Sequence, residues 1–124
     1  MWRDIEDRTL PRGVVSVEGS ERAPDRVLFG AKTVKAWKLD KYRSVTPQEN
    51  SNPSLIAFQF FKDSRGKRAW SHSGHRGASR AVSCQRSLKN AGAKKGRYLA
   101  VRDKDNFVVV DFSHKLPAGW TPQH

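Results

Sequence analysis

The side chains best suited to chemistry in this chain are cationic and lie close together in the sequence. From Lys62 to Arg102 there are twelve Lys or Arg residues and one carboxylate, Asp63. Lys and Arg neutralise phosphates, and Arg can hold a phosphate or a guanine edge through two parallel hydrogen bonds. Because a merely solubilising surface intersperses both signs, this segment predicts a face that binds a polyanion. The residues predicted to bind nucleic acid are Lys62, Arg65, Lys67, Arg68, Trp70, Arg76, Arg80, Arg86, Lys94, Lys95 and Arg97.

Trp70 is the one uncharged member of this set. An exposed aromatic ring beside cations can stack on a nucleic-acid base. A Trp in a small domain is also a typical core residue. The sequence does not decide whether Trp70 is exposed or lies in the core.

Two histidines next to this cluster suggest an alternative function. His72 and His75 flank Ser73 and precede Arg76, and His with a cation can cleave RNA by general acid–base catalysis. However, no carboxylate lies close in sequence, and histidines in a Gly/Ser-rich loop commonly contact solvent or phosphate. We therefore expect a non-enzymatic protein and assign no catalytic residue, with a basic ribonuclease or nuclease as the alternative.

Metal and cofactor motifs are not evident in the sequence. His72, His75, Cys84 and His114 are the conceivable zinc ligands, but a structural zinc site normally has paired ligands at both ends of a loop. Phosphate-binding Gly-rich loops, dinucleotide fingerprints and nucleophile elbows are also lacking. We predict no metal and no cofactor.

The net charge of +12 is unevenly distributed. Residues 1–26 hold five basic and six acidic side chains, and the remainder holds 19 basic and six acidic ones. We interpret residues 1–26 as a mixed-charge arm or edge element, 27–114 as the core domain and 115–124 as a tail. One hypothesis is that the arm folds over the cationic face and weakens binding, so that its deletion would tighten affinity.

Composition suggests the compartment. Cys84 is the only cysteine, which fits a reducing environment. The N-terminus has acidic residues where a signal peptide needs an apolar stretch, and no apolar run approaches the ~20 residues of a membrane span. We expect a soluble cytoplasmic protein without membrane partners, located at the nucleoid or in the host cytoplasm if viral.

Periodicity predicts the elements that position the cations. The fold predicted is a small single α+β domain, with a mostly antiparallel sheet and one main helix packed on one face. The sheet is expected from segments 27–42, 55–71 and 97–112, and the helix from about 78 to 91, ended by Gly92.

Three local predictions complete this fold. Residues 33–39 are interpreted as a strand, although lysines at every third position leave a helix open. Residues 44–53 are predicted to be a loop. Residues 67–71 are expected to return antiparallel to strand 55–61, which would make a hairpin with a basic tip.

The order of hairpin and helix over residues 55 to 92 resembles two nucleic-acid-binding modules. It is similar to the arm domains of tyrosine recombinases in its aromatic strand, the turn at 62–68 and the Ser/Ala-rich helix. It also resembles the strand–helix end of double-stranded RNA-binding domains, but their first helix is missing here. We assign the chain to no family and transfer no residue roles.

The predicted function is nucleic-acid binding by an accessory or regulatory protein, mainly through a basic face. DNA is favoured over RNA, and the small size and high charge suit a phage or mobile-element protein. Besides the nuclease, a second alternative is an inhibitor whose cationic face docks on a protein partner with an acidic surface.

Overall fold

The computed structural model describes residues 12–49, 51–72, 79–117 and 119. Their nine strands form one antiparallel sheet, in the order β5-β3-β4-β9-β8-β1-β2-β7-β6. The strands are β1 (Arg12–Gly19), β2 (Pro24–Phe29), β3 (Ser44–Glu49), β4 (Leu55–Phe61), β5 (Arg68–Ala69), β6 (Ser71–His72), β7 (Arg80–Ser83), β8 (Gly96–Lys104) and β9 (Phe107–Lys115). The described helices are α1 (Ala31–Ala36), a 3-10 turn (Leu39–Lys41) and α2 (Gln85–Ala91).

The sheet curves into a nearly closed barrel. Strands β5 and β6 lie at opposite edges of the sheet, yet Trp70 alone separates them in sequence. Arg68 and Ala69 pair with β3, whereas Ser71 and His72 pair with β7. The bent segment β5–β6 therefore joins the two edges, and counted as one strand it gives a barrel of eight.

Apolar side chains from every long strand fill the barrel. Ile56, Phe58 and Phe60 of β4 point inward as the two-residue period predicts, and each is at most 1% exposed. Phe60 and Trp70 pack edge to face with their ring centroids 4.8 Å apart. The Trp70 indole Nε1 donates a 2.9 Å hydrogen bond to the carbonyl of Leu39. Trp70 thus ties the β5–β6 bend to the 3-10 turn.

A helix lies at each end of the barrel. The antiparallel register places Phe29 of β2 opposite Arg80 of β7, and Arg26 opposite Ser83. Because α1 follows Phe29 and α2 follows Ser83, the two helices cap opposite ends. We refer to these as the α1 end and the α2 end.

The predicted α+β class with one main helix is wrong. The segment expected to be helical from 78 to 91 contains β7, then Cys84, and only then the seven-residue α2. A four-residue strand has only two side chains on each face. Its sequence therefore fits the spacing of a helix as well as that of a strand. Pairing with β2 and β6 decides the conformation. The predicted stop at Gly92 is confirmed, because Gly92 caps α2 in the left-handed conformation.

Three local predictions also need correction. Residues 44–49 of the predicted loop form β3, which tolerates Pro47 because β5 pairs with only Ser44 and Val45 and leaves the rest as an edge. Residues 31–36 are helical, so the alternative left open by the lysine spacing is the correct one. Residues 68–69 pair with β3 rather than β4, so the basic turn is not a hairpin tip. The predicted strand 55–61 is confirmed, and the predicted sheet segment 97–112 forms the antiparallel pair of β8 and β9.

Part of the predicted N-terminal arm belongs to the barrel. Strand β1 lies between β8 and β2, and its Val15 and Val17 are at most 2% exposed. The boundary placed at residue 26 falls inside β2. Deleting residues 1–26 would therefore remove a central strand. Among the described residues, no helix has the length and apolarity to cross a membrane.

Candidate nucleic-acid interface

Helix α2 forms one wall of a depression lined by four cations. Leu88 is fully buried and anchors the helix to the barrel. At its end Gly92 adopts φ 68°, and the Ala93 N–H donates to the carbonyl of Leu88 at 3.0 Å. Arg86 and Lys89, three residues apart, are both exposed on the outer side. The short helix thus buries one side chain and presents two cations.

The turn between β1 and β2 forms the facing wall. Its Ala23 N–H donates a 3.0 Å hydrogen bond to the Ser20 hydroxyl, which fixes the turn locally. The enclosed depression has a volume of about 870 Å³. Its lining residues are Glu21, Arg22, Ala23, Pro24, Gln85, Arg86, Lys89, Gly92, Ala93 and Lys94.

A second depression adjoins the first and adds Arg68. It is lined by Asp25, Arg68, Ser83, Gln85 and Arg86, so it shares two residues with the larger one. Arg68 reaches this position because β5 pairs with β3 on one side and packs against β7, which contributes Ser83 to the same depression, on the other. We call the two depressions together the α2 groove, and its cations, the groove cations, are Arg22, Arg68, Arg86, Lys89 and Lys94.

The groove cations differ in ion pairing from Arg26, Arg65, Lys95 and Arg102, each of which lies 2.9–3.9 Å from a carboxylate oxygen. Within the described part of the chain, none of the five forms an ion pair. The two groove carboxylates are each next to another cation: Asp25 is 3.0 Å from Arg26, and Glu21 is 3.9 Å from Lys95. All five groove cations are exposed. The groove therefore offers positive charge to an external anion.

A second basic region, the basic loop, comprises residues 62–67 at the α1 end. The Ser44 hydroxyl donates to the carbonyl of Asp63 at 2.6 Å and accepts from the Gly66 N–H at 2.8 Å, which holds the loop against β3. Here Arg65 Nη2 lies 2.9 Å from Asp63 Oδ2. The hydrogen bonds from the Arg65 side chain lower the pKa of the Asp63 carboxyl.

The structure brings together only part of the predicted set. Arg68, Arg86 and Lys94 line the α2 groove, and Lys95 lies at its rim through its pair with Glu21. Lys62, Arg65 and Lys67 belong to the basic loop at the opposite end. Arg97 lies on β8 opposite Ser16 of β1, and Arg80 lies on β7 opposite Phe29.

The structure places Trp70 outside both basic surfaces. Trp70 is 4% exposed and lies in the core, so its ring has no free face for a base. Arg76 and His75 lie outside the described residues. His72 belongs to β6 and is opposite Arg80 of β7, and its side chain is outside the described part of the structure.

Two groove cations were missed by the prediction. Lys89 could have been included because it follows Arg86 by three residues on one helix. Arg22 could not be selected from local charge density, because its segment of the sequence is nearly neutral. It lines the groove only because of the position of the β1–β2 turn in the fold.

The described residues provide no evident reactive centre. Cys84 is buried, and burial raises the pKa of its thiol to about 12, with the nearby Arg68 charge opposing that shift. A neutral buried thiol is a poor nucleophile. Within the described residues, no three His, Cys, Asp or Glu side chains cluster to hold a metal ion.

Comparisons with known proteins identify no relatives. No family model matches the chain, and no curated protein or solved structure is significantly similar to it. The two resemblances based on the order of hairpin and helix are not supported by the fold, because β5 pairs with β3 rather than β4 and β7 occupies four residues of the expected helix.

Proposed function

We propose that the protein is a non-enzymatic nucleic-acid-binding factor that holds the phosphate backbone in the α2 groove. The observation that carries this proposal is the collection of five exposed cations, without ion pairs among the described residues, along the two adjoining depressions of the α2 groove. Nucleic acid is the common cellular polyanion with closely spaced charges, at about 1.7 Å per charge along a duplex.

The chemistry of the groove favours backbone contacts over base recognition. Small-molecule sites are mostly lined by apolar and aromatic side chains, whereas no aromatic residue is among the described residues that line the α2 groove. Arg22, Arg68 and Arg86 can each hold a phosphate through two hydrogen bonds. Lys89 and Lys94 add point charges. Such a site positions a polymer without reading much of its sequence.

The experiment that tests this proposal is fluorescence anisotropy with matched single- and double-stranded DNA and RNA oligomers over a salt series. Binding through the groove predicts an affinity that falls steeply as salt rises, because each neutralised phosphate releases counterions. The four polymers also show whether DNA is preferred to RNA. Failure to bind all four near physiological salt would contradict the proposal and favour an acidic protein partner.

The same protein preparation tests the nuclease alternative. Labelled DNA and RNA incubated with and without EDTA should remain intact if the protein only binds. Cleavage that is lost in His72→Ala or His75→Ala would instead establish general acid–base catalysis. The described residues that line the α2 groove include no histidine. A groove variant should therefore lower nucleic-acid affinity without changing the rate of cleavage of the bound polymer.

A further inference from the structure

Two phenylalanine rings lie on the outer face of the barrel, away from the α2 groove. On β4 the residues Ile56, Phe58 and Phe60 point into the core, so Phe61 points outward. Phe107 of β9 also lies on the outer face, where it packs beside a small apolar cluster with Ala57. Both rings are half-buried. Each therefore keeps part of its surface accessible.

The strand register places the two rings next to each other. Gln59 of β4 is directly opposite Phe107 of β9. Phe61 is two residues further along the same face of β4, which makes it the diagonal neighbour of Phe107 at about 7–8 Å. Two consecutive bases of a flexible strand can span that separation.

A cationic side chain lies over each ring, at the outer limit of the cation–π distance. The guanidinium carbon of Arg65 is 6.0 Å from the centroid of Phe61, and Lys104 Nζ is 6.0 Å from the centroid of Phe107. Lys62 and Lys67 are exposed in the adjoining basic loop. Aromatic rings flanked by cations are the arrangement that binds bases by stacking and their phosphates by charge.

We propose that Phe61 and Phe107 form a stacking surface for two bases of a single-stranded nucleic acid, with Lys62 and Lys104 contacting its phosphates. This inference rests on the proposed function and specifies that the preferred nucleic acid is single-stranded. Bases in a duplex are paired and stacked on one another, so they cannot reach the rings, whereas bases of a single strand can. The surface therefore gives the protein a preference for single strands that the α2 groove alone does not supply.

The test compares wild type with the double variant Phe61→Leu and Phe107→Leu, which keeps apolar bulk but removes both rings. Anisotropy with a single-stranded oligomer should show a loss of about 5- to 100-fold per stacked base, whereas affinity for the matched duplex should stay within about twofold. A matched control, Leu55→Met with Leu99→Met, changes the same apolar cluster and should leave both affinities unchanged.

Two further measurements separate stacking from a folding defect. The variant Phe61→Tyr with Phe107→Tyr keeps both rings and should bind single strands like wild type. An oligomer with two adjacent abasic residues should bind wild type more weakly, but should bind the Leu double variant like the intact oligomer. Circular dichroism and urea unfolding check that each variant is folded.

The outcomes distinguish this inference from the proposed function. If the Leu double variant binds single strands within about twofold of wild type while Arg86→Gln weakens binding, the stacking surface is refuted and the groove proposal stands. Equal wild-type affinity for single strands and duplex would also refute it. Absence of binding to every oligomer would overturn both proposals.

Discussion

Neutralising three groove cations gives a quantitative test of the proposed backbone contacts. The variant replaces Arg86, Lys89 and Lys94 by Gln, all exposed and without ion pairs among the described residues. Surface changes of this type usually alter the free energy of unfolding by less than about 0.5 kcal/mol. A loss of binding can therefore be assigned to charge rather than to unfolding.

The magnitude follows from the number of groove cations. If each of the five neutralises one phosphate of duplex DNA, log affinity falls with log salt at a slope of about −4.5, and the triple variant retains about −1.8. Between about 50 and 200 mM salt, wild type should lose about 500-fold in affinity and the variant about 12-fold. Duplex DNA is the appropriate ligand because its paired bases cannot use the outer stacking surface.

A control of equal charge makes the result specific to the α2 groove. Replacing Lys32, Lys35 and Lys38 by Gln removes the same net charge at the α1 end, where all three are exposed. Anisotropy titrations should give the control the wild-type slope. Equal slopes for wild type and the groove variant would refute the reasoning, and equal flattening by the control would show that only net charge matters.

Three other predictions follow from single contacts. Trp70→Phe should lower the free energy of unfolding in urea by about 1–3 kcal/mol, because the Leu39 carbonyl keeps only the Tyr42 N–H as a donor and the smaller ring leaves buried space unfilled. Gly66→Ala should cost about 1–3 kcal/mol in the same assay, since its Cβ would lie 2.6 Å from the Ser44 hydroxyl oxygen and 2.7 Å from the Val45 nitrogen. Burial raises the pKa of the Cys84 thiol from 9.0 to about 12. Since the unfolded thiol ionises first, stability should fall by about 1.4 kcal/mol more in wild type than in Cys84→Ala between about pH 8 and pH 10.

Each of these predictions has a contradicting result. A Trp70→Phe protein as stable as wild type would show that the indole hydrogen bond is not needed at the β5–β6 bend. Gly66→Leu, a larger side chain at the same place, should be worse than Gly66→Ala, and equal stability of all three proteins would mean that the basic loop is not held against β3. Parallel stability curves for wild type and Cys84→Ala would show that the thiol ionises alike in both states.

The sequence predicted those elements in which local pattern and tertiary packing agree. Strand β4 alternates large apolar residues with a clear period, and the valines of β9 have high strand propensity and lie on a buried strand. Strand β7 has only Val82 as a fully buried side chain, so its four residues carried too little pattern. Its conformation is set by pairing with β2, more than fifty residues earlier in the chain.

Prediction of the candidate site was partial for the same reason. Arg68, Arg86 and Lys94 could be selected from local charge density, but their meeting around one groove depends on where β5 and α2 lie in the barrel. The same charge density also selected Lys62 and Arg65, which lie at the other end. Local charge density therefore selects candidate cations, but it does not show which of them share a surface.

The barrel also explains how the α2 end can carry the groove cations. The strands supply most of the buried side chains, so Leu88 is the one fully buried side chain of α2, with Ala91 packed beside the core. Arg86 and Lys89 lie on the outer side of this short helix, where they can be carried at little cost in stability. The β1–β2 turn connects two paired strands, and its exposed side chains contribute little to the core. It nevertheless places Arg22 across the groove from α2. An end cap built in this way can acquire a charged surface while the core remains unchanged.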